Sequence, residues 1–212
     1  MFSVIFDMDG TLLDTQKIFI PAWEYAGRLQ NVTDMGNCIQ YVCGMNDRGW
    51  TKYISDNYAT INIDRFKADV NHYISENLVV KYKKGALELL NFLKESNIKI
   101  GLASGSSMAV IENNFSFLGG TKQFDAIVSG LEVKNCKPAP DIFLETAKRM
   151  NVKPENCYVF EDSGNGILSG NSAGMKCIGI ADVAPFDGKI KQILYKELNS
   201  LDEAIEILKK QL

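Results

Sequence analysis

Two aspartates stand two residues apart near the amino terminus, in Phe6-Asp7-Met8-Asp9-Gly10-Thr11, directly after an apolar run over residues 2–6. That run reads as a buried parallel strand, because Ser3 alone interrupts it. In an extended chain residues i and i+2 point the same way, so both carboxylates would project from the strand's carboxyl end. Acids that close repel, and a divalent cation or a strongly basic neighbour resolves the repulsion. Magnesium suits carboxylate oxygens, keeps several waters and commonly sits beside a substrate phosphate. Three later stretches carry groups of matching type. Ser104-Gly105-Ser106 offers a hydroxyl and backbone N–H groups at a helix start, where phosphate oxygens can be held. Lys137, in Cys136-Lys137-Pro138-Ala139-Pro140, offers a cation that keeps a neighbouring carboxylate ionised and offsets charge on a phosphoryl group. Glu161 and Asp162 follow the apolar residues 158–160, and as consecutive strand residues they should face opposite ways and act differently.

The elements that must position these groups can be read from periodicity. Short apolar runs at 98–103, 126–129, 158–160 and 177–180 add four strands to the first. Helices fall between them: Ala86, Leu89, Leu90 and Leu93 mark one, and residues 108–118 another. A third opens at Pro140 with Phe143, Leu144, Ala147 and Met150 as its apolar stripe. A last helix carries Leu201, Ala204, Ile205 and Leu208 behind a capping box of Ser200 and Glu203. Strands alternating with helices imply an α/β fold, a doubly wound, Rossmann-like parallel sheet. In such sheets ligands bind beyond the strands' carboxyl ends, and every candidate group above falls at one. Residues 15–80 read differently, as mostly helix, with Phe66, Val70, Ile74 and Leu78 at helical spacing and breaks at Gly36 and Gly44.

Composition narrows the function classes. The 212 residues suffice for one full core and a modest accessory domain. A net charge of −3 argues against a general nucleic-acid or membrane surface, so an anionic substrate needs a local positive site. No long apolar segment or signal-peptide layout is present. The five cysteines, Cys38, Cys43, Cys136, Cys157 and Cys177, form no CxxC pair and suit reduced thiols in a cytoplasm. One histidine, His72, leaves acid–base work to carboxylates.

The segment DMDGT resembles the first motif, DxDGT, of the haloacid dehalogenase-like hydrolases, most of which are magnesium-dependent phosphatases. Ser104 is similar to that family's second-motif hydroxyl, Lys137 in KPAPDIF to its third-motif lysine, and Glu161-Asp162 in EDSGNG to its fourth motif. The resemblance implies a catalytic core of residues 1–14 and 81–212, with a helical cap inserted at 15–80. It implies that Asp7 is the nucleophile, Asp9 the acid–base group and Lys137 the cation that pairs with both Asp7 and the phosphate. Thr11, Ser104 and Gly105 would contribute to the phosphate loop. Asp7, the Asp9 carbonyl and Asp162 would hold Mg2+, with Glu161 orienting a coordinated water. The family's dehalogenases and phosphonatases lack an acid where Asp9 stands, so phosphoryl transfer from a small phosphorylated metabolite is expected. The motif set most resembles the β-phosphoglucomutase and sugar-phosphate phosphatase group. Its mutases carry a histidine five residues after the acid that Asp14 matches, and this chain has Phe19 there, which favours hydrolysis over isomerisation. A non-catalytic phosphometabolite-binding protein is the alternative from another class, although none of Asp7, Asp9, Lys137 or Asp162 is missing. Arg48, Lys52, Trp23 and Trp50 read as solvated charge and helix packing rather than ligand contacts. The sequence leaves the oligomeric state open.

Overall fold

The computed structural model describes residues 2–42, 45 and 47–212. A six-stranded sheet forms its centre, all neighbouring strands parallel, in the order β3-β2-β1-β4-β5-β6. In chain order, β1 (Ser3–Phe6) is followed by four helices, α1 (Phe19–Arg28), α2 (Ile39–Val42), α3 (Asp47–Asn57) and α4 (Ile63–Asn77). Then come α5 (Ala86–Glu95), β2 (Ile100–Ser104), α6 (Met108–Ser116), β3 (Ala126–Ser129) and α7 (Asp141–Arg149). The chain closes with β4 (Cys157–Glu161), α8 (Gly164–Ser172), β5 (Lys176–Gly179), α9 (Gly188–Ile193), β6 (Lys196–Glu197) and α10 (Glu203–Lys209).

Strand side chains alternate between two apolar layers, as a period of two requires. Val4, Phe6, Ile100, Leu102 and Phe160 face Leu89 and Leu93 of α5, Phe115 of α6 and Leu208 of α10. Ile5, Ala103, Val128, Val159 and Cys177 face the other way, toward Phe143 of α7, Ile167 of α8 and Ile190 of α9. Both faces are therefore covered, which is why the strands are apolar throughout. The order places β1 at the sheet's centre, where the winding reverses between it and β4. A crevice opens at such a reversal beyond the strands' carboxyl ends.

The helices between β1 and α5 build an apolar cluster of their own, with Trp23, Met35, Ile54, Phe66 and Val70 buried in it. Trp23 stacks at 5.4 Å from Trp50 and meets Phe66 edge-on at 5.3 Å, so both tryptophans serve packing. The chain leaves and re-enters the sheet region through two adjacent segments. Lys83 N–H donates to Leu12 O at 3.0 Å, Asp14 N–H to Lys81 O at 2.9 Å, and Leu13 pairs antiparallel with Tyr82. The helical cluster also touches the sheet region away from this double crossing. Arg48 Nη2 donates to Leu131 O at 3.4 Å, a Cβ on Gly49 would come within 3.2 Å of Cys136 Sγ, and Val183 packs against the cluster.

Several expectations change in detail. Of the expected α7 stripe Phe143, Ala147 and Met150 are buried, but Leu144 is 40% exposed, and Ile142 and Thr146 complete the buried face in its place. The Ser200–Glu203 box does not form: Glu203 reaches past Ser200 to accept the Asn199 N–H at 3.3 Å. Helix α9 and the two-residue β6 have no counterpart in the sequence reading, since neither is long enough to show a period. The expected break at Gly44, like Cys43, lies outside the described residues. His72 is exposed, Lys52 pairs with Asp56 at 2.9 Å, and no described helix is long and apolar enough to cross a membrane.

Truncating Phe66, wholly buried among the tryptophans, should cost about 3–5 kcal/mol of local stability. Hydrogen exchange on Phe66→Ala should quicken for amides of α1 and α4 while sheet amides keep their protection. Equal quickening throughout would show that the helical cluster has no stability of its own.

Candidate active site

The turn after β1 is built to bring acids together. Asp7 N–H still donates to Phe160 O at 3.0 Å, extending the β1–β4 ladder by one residue. The chain then coils, with Leu12 and Leu13 N–H groups on Met8 O and Gly10 N–H on Leu13 O. Gly10 has φ +83, and a Cβ there would stand 2.3 Å from Asp162 Oδ2, so the turn and the close approach both demand glycine.

Lys137, its side chain 1% exposed, reaches in from the segment before α7. Its ammonium donates to Asp7 Oδ1 at 2.5 Å, Glu161 Oε1 at 2.6 Å and Ala103 O at 3.2 Å, and it lies 5.0 Å from the Phe143 ring centre. Three donors thus meet three acceptors, one from each of β1, β2 and β4 ends. Glu161 is held on its other oxygen by Asp162 N–H and Ser163 N–H, each at 3.0 Å, and by Ser163 Oγ at 2.9 Å. Ser163 in turn caps α8, accepting Gly166 N–H at 3.0 Å. Gly166 matters for its missing side chain, since a Cβ there would fall 1.8 Å from the Glu161 carboxyl.

Asp7, Glu161 and Asp162 form one buried group, each offering an oxygen within 4.8 Å of the others'. The expectation that Glu161 and Asp162 face opposite ways is corrected here. β4 ends at Glu161, the chain bends, and Asp162 turns back toward the same site, where Thr11 Oγ1 donates to its Oδ1 at 3.2 Å. The two acids still differ in what they touch: Glu161 holds Lys137 and the following turn, and Asp162 faces the Gly10–Thr11 loop. With all three carboxylates ionised, one ammonium would leave two negative charges uncompensated. An all-oxygen donor set with that surplus fits a hard divalent cation. Burial drives the Asp7 and Asp162 carboxyls above the usual carboxylate range, with Glu161's charge adding to both. Burial opposes the charge on Lys137 as well, but Asp7 and Glu161 outweigh it and hold the ammonium above its usual range.

Asp9 lies nearer solvent and takes no part in that group. Thr15 Oγ1 donates to its Oδ1 at 2.5 Å and Ser106 Oγ to its Oδ2 at 2.9 Å. Sequence reading missed both hydroxyls, although Ser106 lies inside a motif singled out there and Thr15 follows four residues after Thr11. Ser106 is fixed by its own backbone: its N–H donates to the buried Ser104 Oγ at 3.1 Å, and its carbonyl accepts Ser129 Oγ at 2.7 Å. Gly105 lies between, half-exposed at the end of β2. The structure thus gathers Asp7, Asp9, Thr11, Ser104, Gly105, Lys137, Glu161 and Asp162 around the carboxyl ends of β1, β2 and β4. Arg48 and Lys52 make their contacts elsewhere.

Placing a methyl at Gly166 must push Glu161 off Lys137. Gly166→Ala should weaken divalent-cation affinity about 10- to 100-fold, the usual cost of disturbing groups behind the ligands. Titrating the melting temperature with magnesium would read this, and an unchanged affinity would show that Glu161 plays no part.

Comparison with known proteins agrees with this geometry. The chain is 33% identical over 180 residues to a bifunctional riboflavin kinase/FMN phosphatase from Arabidopsis thaliana, covering 84% of this chain and 48% of that longer protein. It is 32% identical over 183 residues to a phosphorylated carbohydrates phosphatase from Thermotoga maritima, covering 84% of each. Among solved structures, a β-phosphoglucomutase from Clostridium difficile superposes with a TM-score of 0.80 at 28% identity, over 100% of this chain and 96% of that one. Residues 4–180 match the haloacid dehalogenase-like hydrolase family, and this chain belongs to it.

Proposed function

We propose that this protein is a magnesium-dependent phosphatase that hydrolyses a small phosphorylated metabolite, a sugar phosphate or similar, through an aspartyl-phosphate. The observation that carries the reading is the convergence of Asp7, Lys137 and Asp162 from three separate stretches into one buried, negatively charged cluster. Asp7 and Asp162 would hold the ion with the Asp9 carbonyl, and Glu161 would orient a coordinated water. Bound there, magnesium offsets phosphate charge so that an anionic nucleophile can approach.

The side chains supply the rest. Lys137 fixes one oxygen of Asp7, orients the carboxylate and adds positive charge where the phosphoryl group binds. Asp7 attacks phosphorus in line, and the bond to the leaving oxygen breaks. Asp9, steadied by Thr15 and Ser106, gives that oxygen a proton and later takes one from the water that releases phosphate. Ser104, whose oxygen already accepts the Ser106 N–H, keeps its hydroxyl hydrogen for a phosphate oxygen, beside the Gly105 N–H. Thr11's hydroxyl is engaged with Asp162, so its contribution to phosphate is through the backbone. Residues 15–80 would act as a cap that excludes water and selects substrate.

The named relatives support a phosphorylated-carbohydrate class of substrate, and the free thiols of Cys38, Cys136, Cys157 and Cys177 suit a cytoplasmic setting. Phe19 packs against the helical cluster and supplies no acid–base group, which supports hydrolysis over isomerisation.

A screen of sugar phosphates, nucleotides, phosphoglycolate and pyrophosphate should find magnesium-dependent phosphate release that EDTA abolishes. Asp7→Asn should remove it, and Asp9→Asn should lower turnover about 10²- to 10⁴-fold. Release that survives in Asp7→Asn, or a product that is isomerised with no free phosphate, would refute the reading. Proton and cation compete for the raised carboxyls, so the cation binds better as they lose their protons. The magnesium-induced rise in melting temperature should therefore be larger near pH 8 than near pH 6. A rise independent of pH would remove Asp7 and Asp162 as ligands.

A further inference from the structure

The loop after β5 makes contacts that the proposed chemistry does not use. Asp182, its side chain 1% exposed, receives Lys83 Nζ and, at 3.0 Å, Lys17 Nζ, both on Oδ1. Lys83 belongs to the segment returning to the sheet and is largely buried, at 15% side-chain exposure. Lys17 lies on the outgoing segment, two residues before α1, and is 61% exposed. The same ammonium stands 3.8 Å from Asp14 Oδ1 on the outgoing segment, and Asp14 pairs with Lys81 on the returning one at 3.2 Å. Next to Asp182, Val183 packs into the apolar cluster of the helices. One short loop of the sheet region thus grips both chain crossings electrostatically and the helical cluster apolarly.

We propose that Asp182 is a positioning residue that docks the helical segment against the sheet region by drawing Lys17 onto the carboxylate oxygen that already holds Lys83. Burial strengthens this grip. A carboxylate that is 1% exposed cannot turn to water when an ammonium leaves, and Asp182 Oδ2 has no hydrogen-bond partner among the described residues. Separating the helical segment from the sheet therefore means pulling Lys17 away from a buried carboxylate that keeps Lys83 alone as its cation. Contacts across the gap among the described residues also include a long Arg48–Leu131 hydrogen bond and the approach of Gly49 to Cys136, both on α3 and at the far loops 131 and 136. Asp182 and Val183 hold the crossing side, and α3 holds the other.

This inference rests on the phosphatase reading, because docking matters only if the helical segment closes on substrate. If the binding-competent, docked form loses population, apparent affinity falls by the same fraction, while saturating substrate restores closure. Because the Asp182 charge also pushes the Asp162 carboxyl up, the assay uses saturating magnesium, where Asp182→Asn should raise KM for a sugar-phosphate substrate about tenfold and leave kcat within about twofold. Asp182→Glu should recover much of the loss. Lys17→Met, at an exposed position that cannot threaten folding, should raise KM in the same direction by a smaller factor. Acetyl phosphate, too small to span to the helices, should show little change with any of these variants. Hydrogen exchange of residues 12–17 and 81–83, read without any substrate, should quicken in Asp182→Asn and Lys17→Met. An active enzyme whose KM and exchange rates are unaltered by Lys17→Met and Asp182→Asn would overturn the docking role. A wild-type protein that releases phosphate from nothing would overturn the phosphatase reading instead, while the exchange experiment would still decide whether Asp182 tethers the crossings.

Discussion

A buried ammonium shared between two buried carboxylates is the constraint on which the rest depends. Lys137 cannot leave Asp7 and Glu161 without stranding charge in a dry interior, and neither acid can be buried there without it. That mutual dependence fixes three chain segments relative to one another: the turn after β1, the segment before α7 and the end of β4. Glycines finish the job, since the turn at Gly10 and the helix start at Gly166 allow the carboxylates to sit where a methyl would collide. The site's geometry is therefore set by electrostatic need and enforced by sterics.

The surplus of negative charge follows from the same arrangement. One ammonium satisfies part of three carboxylates, and the remainder is what a divalent cation would neutralise. The molecule as a whole carries −3, so its long-range field does not attract an anionic substrate. Under the proposed function, attraction would be local and would come from Lys137, the helix-start N–H groups after β2 and a bound ion. Asp9 is managed differently from its neighbours: two neutral hydroxyls hold it rather than a cation, which leaves it a group able to exchange a proton instead of one locked into an ion pair.

The helical segment completes this scheme by coming from elsewhere. Its core of tryptophan, phenylalanine and aliphatic side chains is separate from both layers of the sheet. It joins the sheet through two short, hydrogen-bonded crossings and a few contacts at loop tips. A body with its own core and a narrow connection can shift as a unit, which is the mechanical requirement for opening and closing over a site. Lysines gathered on Asp182 bias where that body rests.

The sequence by itself determined five of the sheet's six strands and the identity of the acids. Continuous apolar runs, punctuated by glycine and serine, locate Ser3–Phe6, Ala126–Ser129 and their neighbours to within two residues, because burial on both faces leaves few other readings. The paired aspartates and Glu161-Asp162 were legible as chemistry because their spacing at strand ends is local, and Lys137 because its KPAPDIF context resembles the family's third motif. What tertiary structure alone decided is who meets whom. The side-chain partners of Asp9 sit six and 97 positions away, and Lys137 spans 130 residues to reach Asp7. Folding brings Lys17 and Lys83 to Asp182 from either side of the long helical segment, a meeting that no sequence motif marks. Periodicity records which face a residue buries, a property of its neighbours along the chain. Pairing across the sheet's carboxyl edge depends on the order in which strands are laid down, and no short window of sequence contains that order.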